Sequence, residues 1–177
     1  MRAADKSRDV TMELYDKVIV ITGSTSGLGK ALAQQLVHEG AKIVINGRKK
    51  EEVDRVAQEL GATPFAADVT DERQVRAIAV YTEECFGRID VWINNAGIWT
   101  PHAPFEEQES LRIRAMIEVN FFGTFYGARA AFIQMKKQHT GTIMNILSTS
   151  ALQGRARSAG YCASKYAADG LTKSLRL

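Results

Sequence analysis

Apolar residues in this chain fall into short unbroken runs and longer periodic stretches, and the two kinds alternate. Val18 to Ile21 is a continuous, largely β-branched run, as a strand buried on both faces requires. Past a glycine-containing turn, Ala31, Leu32, Leu36 and Val37 recur at helical spacing. The alternation then repeats, with a strand over 41–46, a charged amphipathic helix over 50–60 and a short strand over 63–67. A helix follows to about Phe86, with Thr70 as its expected N-cap. Ile89 to Ile93 reads as a fourth strand running into Asn94-Asn95-Ala96-Gly97, and Pro101 and Pro104 mark a loop. A long helical stretch over 106–138 loses its period at Asn120-Phe121-Phe122-Gly123. Thr142 to Leu147 is a fifth strand, and a helix runs from about Ala159 to the end. Such alternation predicts an α/β fold: a parallel sheet with right-handed crossovers and helices on both faces. Ligands are then expected at the carboxyl ends of the strands.

Length and composition narrow the function. A chain of 177 residues predicts one domain with a sizeable core, here over 13–177. Residues 1–12 are polar and charged and read as a flexible tail, with Met12 as an alternative initiator. The net charge of +3 is modest, and its cations are dispersed apart from Arg48-Lys49-Lys50, which argues against a nucleic-acid surface. Cys85 and Cys162 form no redox motif, and His38, His102 and His139 are too scattered to suggest a metal site. Neither a membrane span nor a signal peptide is visible, so the expected location is cytoplasmic.

Six stretches carry candidate chemistry. Gly23, Gly27 and Gly29 lie between the first strand and its helix, where backbone without Cβ lets a pyrophosphate approach the helix N-terminus. A tight turn that binds nothing is the competing reading. Arg48 follows the second strand, where a dinucleotide fold inspects the adenosine ribose; a guanidinium there suits the 2′-phosphate of NADP better than the hydroxyl of NAD. Its rival is a solvated basic loop. Asp68, with Val69, ends the third strand and can meet an adenine or simply start a helix. Asn95, Ala96 and Gly97 can bring backbone to the cofactor ribose or mark only a turn. Tyr161 and Lys165, four apart, share a helix face, and a nearby cation favours the phenolate. Tyr161 can then exchange a proton with a carbonyl or alcohol oxygen that Ser148 hydrogen-bonds.

Taken together, these motifs resemble the short-chain dehydrogenase/reductase family of the common soluble type, over about residues 12–177. Thr22-Gly23-x-x-x-Gly27-x-Gly29, Asn94-Asn95-Ala96-Gly97, Asn120, Ser148 and Tyr161-Cys162-Ala163-Ser164-Lys165 match its motifs in order and spacing. The resemblance implies a Rossmann-type doubly wound sheet of strand order 3-2-1-4-5. It implies that Gly23, Ser24, Thr25, Ser26, Gly27, Leu28 and Gly29 hold an NADP cofactor with Arg48, Asp68, Val69, Asn95, Ala96 and Gly97. It further implies that Tyr161 is the acid/base, that Ser148 orients the substrate oxygen, and that Lys165 binds the nicotinamide ribose and lowers the tyrosine pKa. Asn120 is implied to support a proton-relay water; a helix-kink residue is the plainer reading.

The family pattern continues past Leu177 through two more strands and a segment that closes over substrate. The chain is therefore expected to be C-terminally truncated, with its fifth strand a bare sheet edge and its cleft open to water. Two functions follow. One is NADP-dependent hydride transfer to or from a carbonyl or secondary alcohol, such as a ketone or 3-oxoacyl group; the other is a catalytically impaired fragment that binds nucleotide or a partner chain. A complete member is implied to be a homo-oligomer, dimer or tetramer, paired through the helices beginning near Glu106 and Ala159. Trp99, Gln153, Arg155 and Arg157 are expected on loops at the cleft rim, where the arginines either attract an anionic substrate or are merely solvated.

Overall fold

Four apolar residues in a row need cover on two sides, and the structure supplies it. The computed structural model describes residues 14–176; the expected tail lies outside them. Strand β1 (Val18–Ile21) is buried along its whole length. It sits at the centre of a five-stranded sheet with β2 (Lys42–Gly47), β3 (Thr63–Ala66), β4 (Val91–Asn94) and β5 (Thr142–Asn145), in the order β3-β2-β1-β4-β5. Every neighbouring pair is parallel, and the order is the one implied by the resemblance. Side chains alternate between the faces. Val20 and Val44 point with Trp92 into one layer, packed by Ile78 of α3 (Glu72–Phe86) and Ala131 of α5 (Gly123–Gln138). Ile19, Ile21, Ile43 and Ile45 point into the other, packed by Ala33 of α1 (Gly27–His38) and Val53 and Val56 of α2 (Lys50–Leu60). Each such side chain, fully buried, contributes about 1.5–3 kcal/mol.

Several boundaries differ from the expected ones. The second strand is shifted one residue onward, and the third, fourth and fifth end or begin within two residues of the predicted limits. The N-cap of α3 is Asp71, not Thr70: its Oδ1 accepts from the backbone N–H of Arg73 (2.8 Å) and Gln74 (3.3 Å). Thr70 is unavailable because its own hydroxyl donates to Asp68 Oδ1 at 2.8 Å. The stretch predicted as one helix over 106–138 is four pieces. A 3₁₀ turn (Phe105–Glu107) ends where Gln108 and Glu109 are extended, and α4 (Ser110–Ile117) follows. Glu118–Phe122 then forms a π turn that leads without a break into α5. The lost period at Asn120 is therefore an inserted residue, not a helix end. The last helix, α6 (Ala159–Ser174), packs on α4 and the π turn.

A chain of polar side chains ties α6 to the sheet. Trp92 Nε1–H donates to Asn94 Oδ1 (2.8 Å), Asn94 Nδ2 to Asn145 Oδ1 (2.8 Å), and Asn145 Nδ2 to Thr172 Oγ1 (2.9 Å). Gly127 of α5 lies against its first link: a Cβ there would sit 2.0 Å from Asn94 Oδ1 and 2.7 Å from Trp92 Nε1. Alanine ordinarily favours a helix interior by about 1 kcal/mol. Because Asn94 is bonded on both sides and has little room to retreat, the collision outweighs that gain. Gly127→Ala should lower stability by roughly 1–3 kcal/mol in urea unfolding, and an unchanged midpoint would refute this account.

Candidate active site

At the carboxyl ends of β1, β2 and β4 lies a cleft of about 800 Å³. Its floor is the turn after β1. Gly23 adopts φ +62°, and a Cβ on it would stand 2.7 Å from Ala96 Cα, so only glycine lets the turn lie against the segment after β4. Buried Thr22 fastens that contact: its Oγ1 accepts the N–H groups of Asn95 and Ala96, both at 3.1 Å. The Asn95 amide in turn donates to the carbonyls of Thr22 and Gly23, both at 2.9 Å. Ser24 is fully buried, donates to the Ile21 carbonyl (2.7 Å) and accepts from Asn46 N–H (2.9 Å). Its hydroxyl therefore joins β1 to β2 and does not face the cleft.

Beyond the turn, Ser26 caps α1 without a side-chain hydrogen bond, and the first turn of that helix carries no acidic residue. The helix N-terminus thus presents free N–H groups and a partial positive charge to the cleft. Thr25, Ser26, Gly27, Leu28 and Gly29 line it, with Gly23, Arg48, Asp68, Val69, Asn95, Ala96 and Gly97. Exposed Arg48 pairs with no carboxylate among the described residues. Asp68 Oδ1 accepts from Thr70 N–H (2.9 Å) and its hydroxyl, so one oxygen shapes the loop while the residue also borders the cleft. Asn46, Gly47, Lys49, Glu52, Ala67, Ile98 and Val119 complete the lining and did not stand out in the sequence. Most are ordinary strand-end residues; Glu52, three positions after Lys49 on the first turn of α2, was the one findable by helical spacing.

Asn120 and Lys165 reach the edge of the cleft, with Tyr161 beside Lys165 on α6 and Ser148 in the turn after β5. The junction is Gly97: a Cβ there would lie 3.3 Å from Asn120 Oδ1 and 3.8 Å from Lys165 Nζ. Buried Asn120 projects from the π turn. Its Oδ1 accepts from Ile98 N–H (2.7 Å), and its Nδ2 donates to Ile98 O (2.9 Å) and Ser164 Oγ (3.0 Å). Ser164, fully buried, donates onward to the Tyr161 carbonyl at 2.7 Å. Ser148 accepts from Ser150 N–H (3.1 Å) and so caps a short 3₁₀ turn, Thr149–Ala151. The Lys165 ammonium lies 5.9 Å from the centroid of the Tyr161 ring and donates to the Ile146 carbonyl at 2.9 Å. The Tyr161 hydroxyl bonds to neither Ser148 nor Lys165, and no direct bond joins Asn120 to Lys165. The cleft thus ends at Gly97 beside a buried amide and a buried cation, and the Tyr161 ring stands next to that cation.

Comparisons with known proteins find relatives along most of the chain. A family model described as short chain dehydrogenase matches residues 17–177. A levodione reductase of Leifsonia aquatica is 34% identical over 171 residues, covering 93% of this chain and 64% of that protein. An L-fucose dehydrogenase of Oryctolagus cuniculus is 36% identical over 162 residues, covering 91% and 57% respectively. The solved structure of a short-chain dehydrogenase from Streptomyces avermitilis superposes with a TM-score of 0.84 at 31% identity, over 90% of this chain and 59% of that one. The chain thus spans about three-fifths of the length of these relatives.

Burial pushes the Lys165 ammonium below its ordinary value of 10.5. A cation whose folded pKa is depressed weighs against the fold while both states hold the proton; the penalty is relieved as pH rises through the folded value. Lys165→Met should therefore melt no lower than the parent at neutral pH, with the parent gaining on it as pH climbs toward 10.5. A variant that melts lower at neutral pH would show that the bond to Ile146 dominates instead.

Proposed function

The chain belongs to the short-chain dehydrogenase family, and on that footing we propose that it is an NADP-dependent oxidoreductase acting on a carbonyl or secondary alcohol. The observation that carries the reading is the meeting of two sites at Gly97: the glycine-turn cleft on one side, Lys165 and Asn120 on the other. Two relatives are named a levodione reductase and an L-fucose dehydrogenase, which supports carbonyl–alcohol interconversion in either direction.

The residues fit a dinucleotide. The volume suits such a ligand, the N-terminus of α1 is uncapped by side chains, and Arg48 lines the cleft with no carboxylate partner among the described residues. When bound, the cofactor supplies or accepts the hydride. The turn from Gly23 to Gly29 would hold its pyrophosphate, Arg48 its 2′-phosphate, and Asp68 and Val69 its adenine; Asn95, Ala96 and Gly97 would border its ribose, and Lys165 would bind the nicotinamide ribose. In the reductive direction Tyr161 would give its hydroxyl proton to the carbonyl oxygen that Ser148 would hydrogen-bond, with Lys165 sustaining the positive potential beneath Tyr161. Asn120 holds the helix that carries both. The protein is a cytoplasmic one whose partner is a small carbonyl or alcohol; a complete member would also meet a second copy of itself through α4, α5 and α6. Leu111 of α4 and Tyr166 of α6 are exposed on those helices.

One observation favours nucleotide binding without turnover: the Lys165 ammonium is already bonded to the Ile146 carbonyl. Tyr161→Phe decides between the two. Turnover that falls roughly 10²–10⁴-fold in this variant supports the enzyme; nucleotide binding with no Tyr161-dependent turnover supports the second reading. Arg48→Asp should shift the NADP-to-NAD preference by about tenfold or more, read as the ratio of kcat/KM values. An unmoved ratio would remove Arg48 from the phosphate site.

A further inference from the structure

We propose that Gln108 is a positioning residue for Tyr161, capping from outside the helix that carries it; this rests on the oxidoreductase reading above. Serine is among the residues best suited to cap a helix, and Ser158 stands at the N-cap of α6. Its side chain nevertheless caps nothing, because the hydroxyl shares a hydrogen bond of 2.7 Å with His102 Nδ1. The first turn of α6 therefore needs another acceptor. Half-buried Gln108, in the extended link before α4, supplies it: its Oε1 accepts from the Gly160 N–H at 3.4 Å. Gly160 immediately precedes Tyr161 and is buried, so its N–H has no easy recourse to water. A Cβ on it would lie 2.8 Å from Ile113 Cγ1 and 2.9 Å from Met116 Cε, both on α4.

The other end of the same amide holds the loop after β4. Gln108 Nε2 donates to the Ala103 carbonyl at 3.2 Å, and the Ala103 N–H donates to the Arg157 carbonyl at 3.2 Å. The Ala103 carbonyl can only accept and the Gly160 N–H can only donate, so together they fix which way the amide points. A carboxylate in its place would serve Gly160 alone, and an aliphatic side chain would serve neither. Tyr161 is thus held on both sides along the chain. Ser164 donates to its carbonyl at 2.7 Å, and Gln108 secures the amide just ahead of it. Lys165, bonded to Ile146, belongs to the next turn. Loss of the cap frees the first turn to shift against the second, which moves the phenol relative to Lys165. The nucleotide cleft is not touched, since Gln108 does not line it.

Amide exchange in the unaltered full chain tests the cap first. The Gly160 N–H should exchange at least roughly tenfold more slowly than an unbonded amide, and exchange at the unprotected rate overturns the proposal. Kinetics with NADPH and methyl acetoacetate then compare two variants. Gln108→Leu should lower kcat roughly ten- to a hundredfold while KM for NADPH moves less than about threefold. Gln108→Glu keeps the acceptor for Gly160 and should stay within about threefold of the parent kcat. The Tyr161 ring resonances, identified by Tyr161→Phe, should move in Gln108→Leu and hold in Gln108→Glu. A merely structural role would lower the melting temperature of Gln108→Leu and leave kcat per folded molecule and those resonances unchanged, which overturns the proposal. Equal losses in the two variants overturn it as well. If no carbonyl is turned over in a Tyr161-dependent way, the oxidoreductase reading fails, and exchange at Gly160 with the Tyr161 resonances decides the cap alone.

Discussion

The buried amide of Asn120 makes three hydrogen bonds, and through them the loop after β4, the π turn and α6 keep their relative positions. Two of the bonds treat Ile98 as a sheet neighbour would, taking its N–H and its carbonyl together. The third reaches Ser164, whose hydroxyl continues to the backbone of Tyr161. Leaving any of these buried groups unpaired costs about 1–3 kcal/mol, so the arrangement is defended by more than one contact. The Tyr161–Lys165 helix is therefore anchored near its start by an amide from a neighbouring helix. The Asn145–Thr172 bond anchors it near its end.

A second fastening works on the other side of the same cleft. Four hydrogen bonds join Thr22 and Gly23, after β1, to Asn95 and Ala96, after β4, and the absence of a side chain on Gly23 allows it. The result is a rigid floor whose polar groups are already satisfied. What remains free to meet a ligand is the N-terminus of α1, exposed Arg48 and the second oxygen of Asp68. Fixed groups face inward and uncommitted ones face the cleft, a division that favours preorganised binding.

Much of this was legible in the residues. Period-two and period-3.6 patterns are dictated by burial, so the parallel sheet and most helix limits followed from the alternation that Val18 to Ile21 begins, while the strand order came from the family resemblance. The family motifs located Gly23, Asn95, Ser148, Tyr161 and Lys165 in order. Local patterns could not say which polar side chains are inward. Ser24 reads as a phosphate contact by position, yet it bridges two strands because Asn46 lies opposite, and that pairing exists only once β1 and β2 align. Thr70 and Asp71 both suit a helix start, and the choice depends on Asp68 claiming the threonine. Glu52 borders the cleft through the turn of α2. The break at Asn120 was visible as a lost period, but a period cannot distinguish an ended helix from one with a residue added.

That added residue has a consequence for how the segment tolerates change. An α-helix advances about 100° per residue, so the π turn sets the phase between α4 and α5. Deleting any one residue of Glu118–Phe122 would let the stretch relax into regular helix and rotate one flank by that angle against the other. Where the deleted residue is not Asn120, Gly127 would then no longer face Asn94, and the amide of Asn120 would swing off Ile98, although both residues were still encoded. Chain length across these five positions thus shapes the site as much as any side chain does.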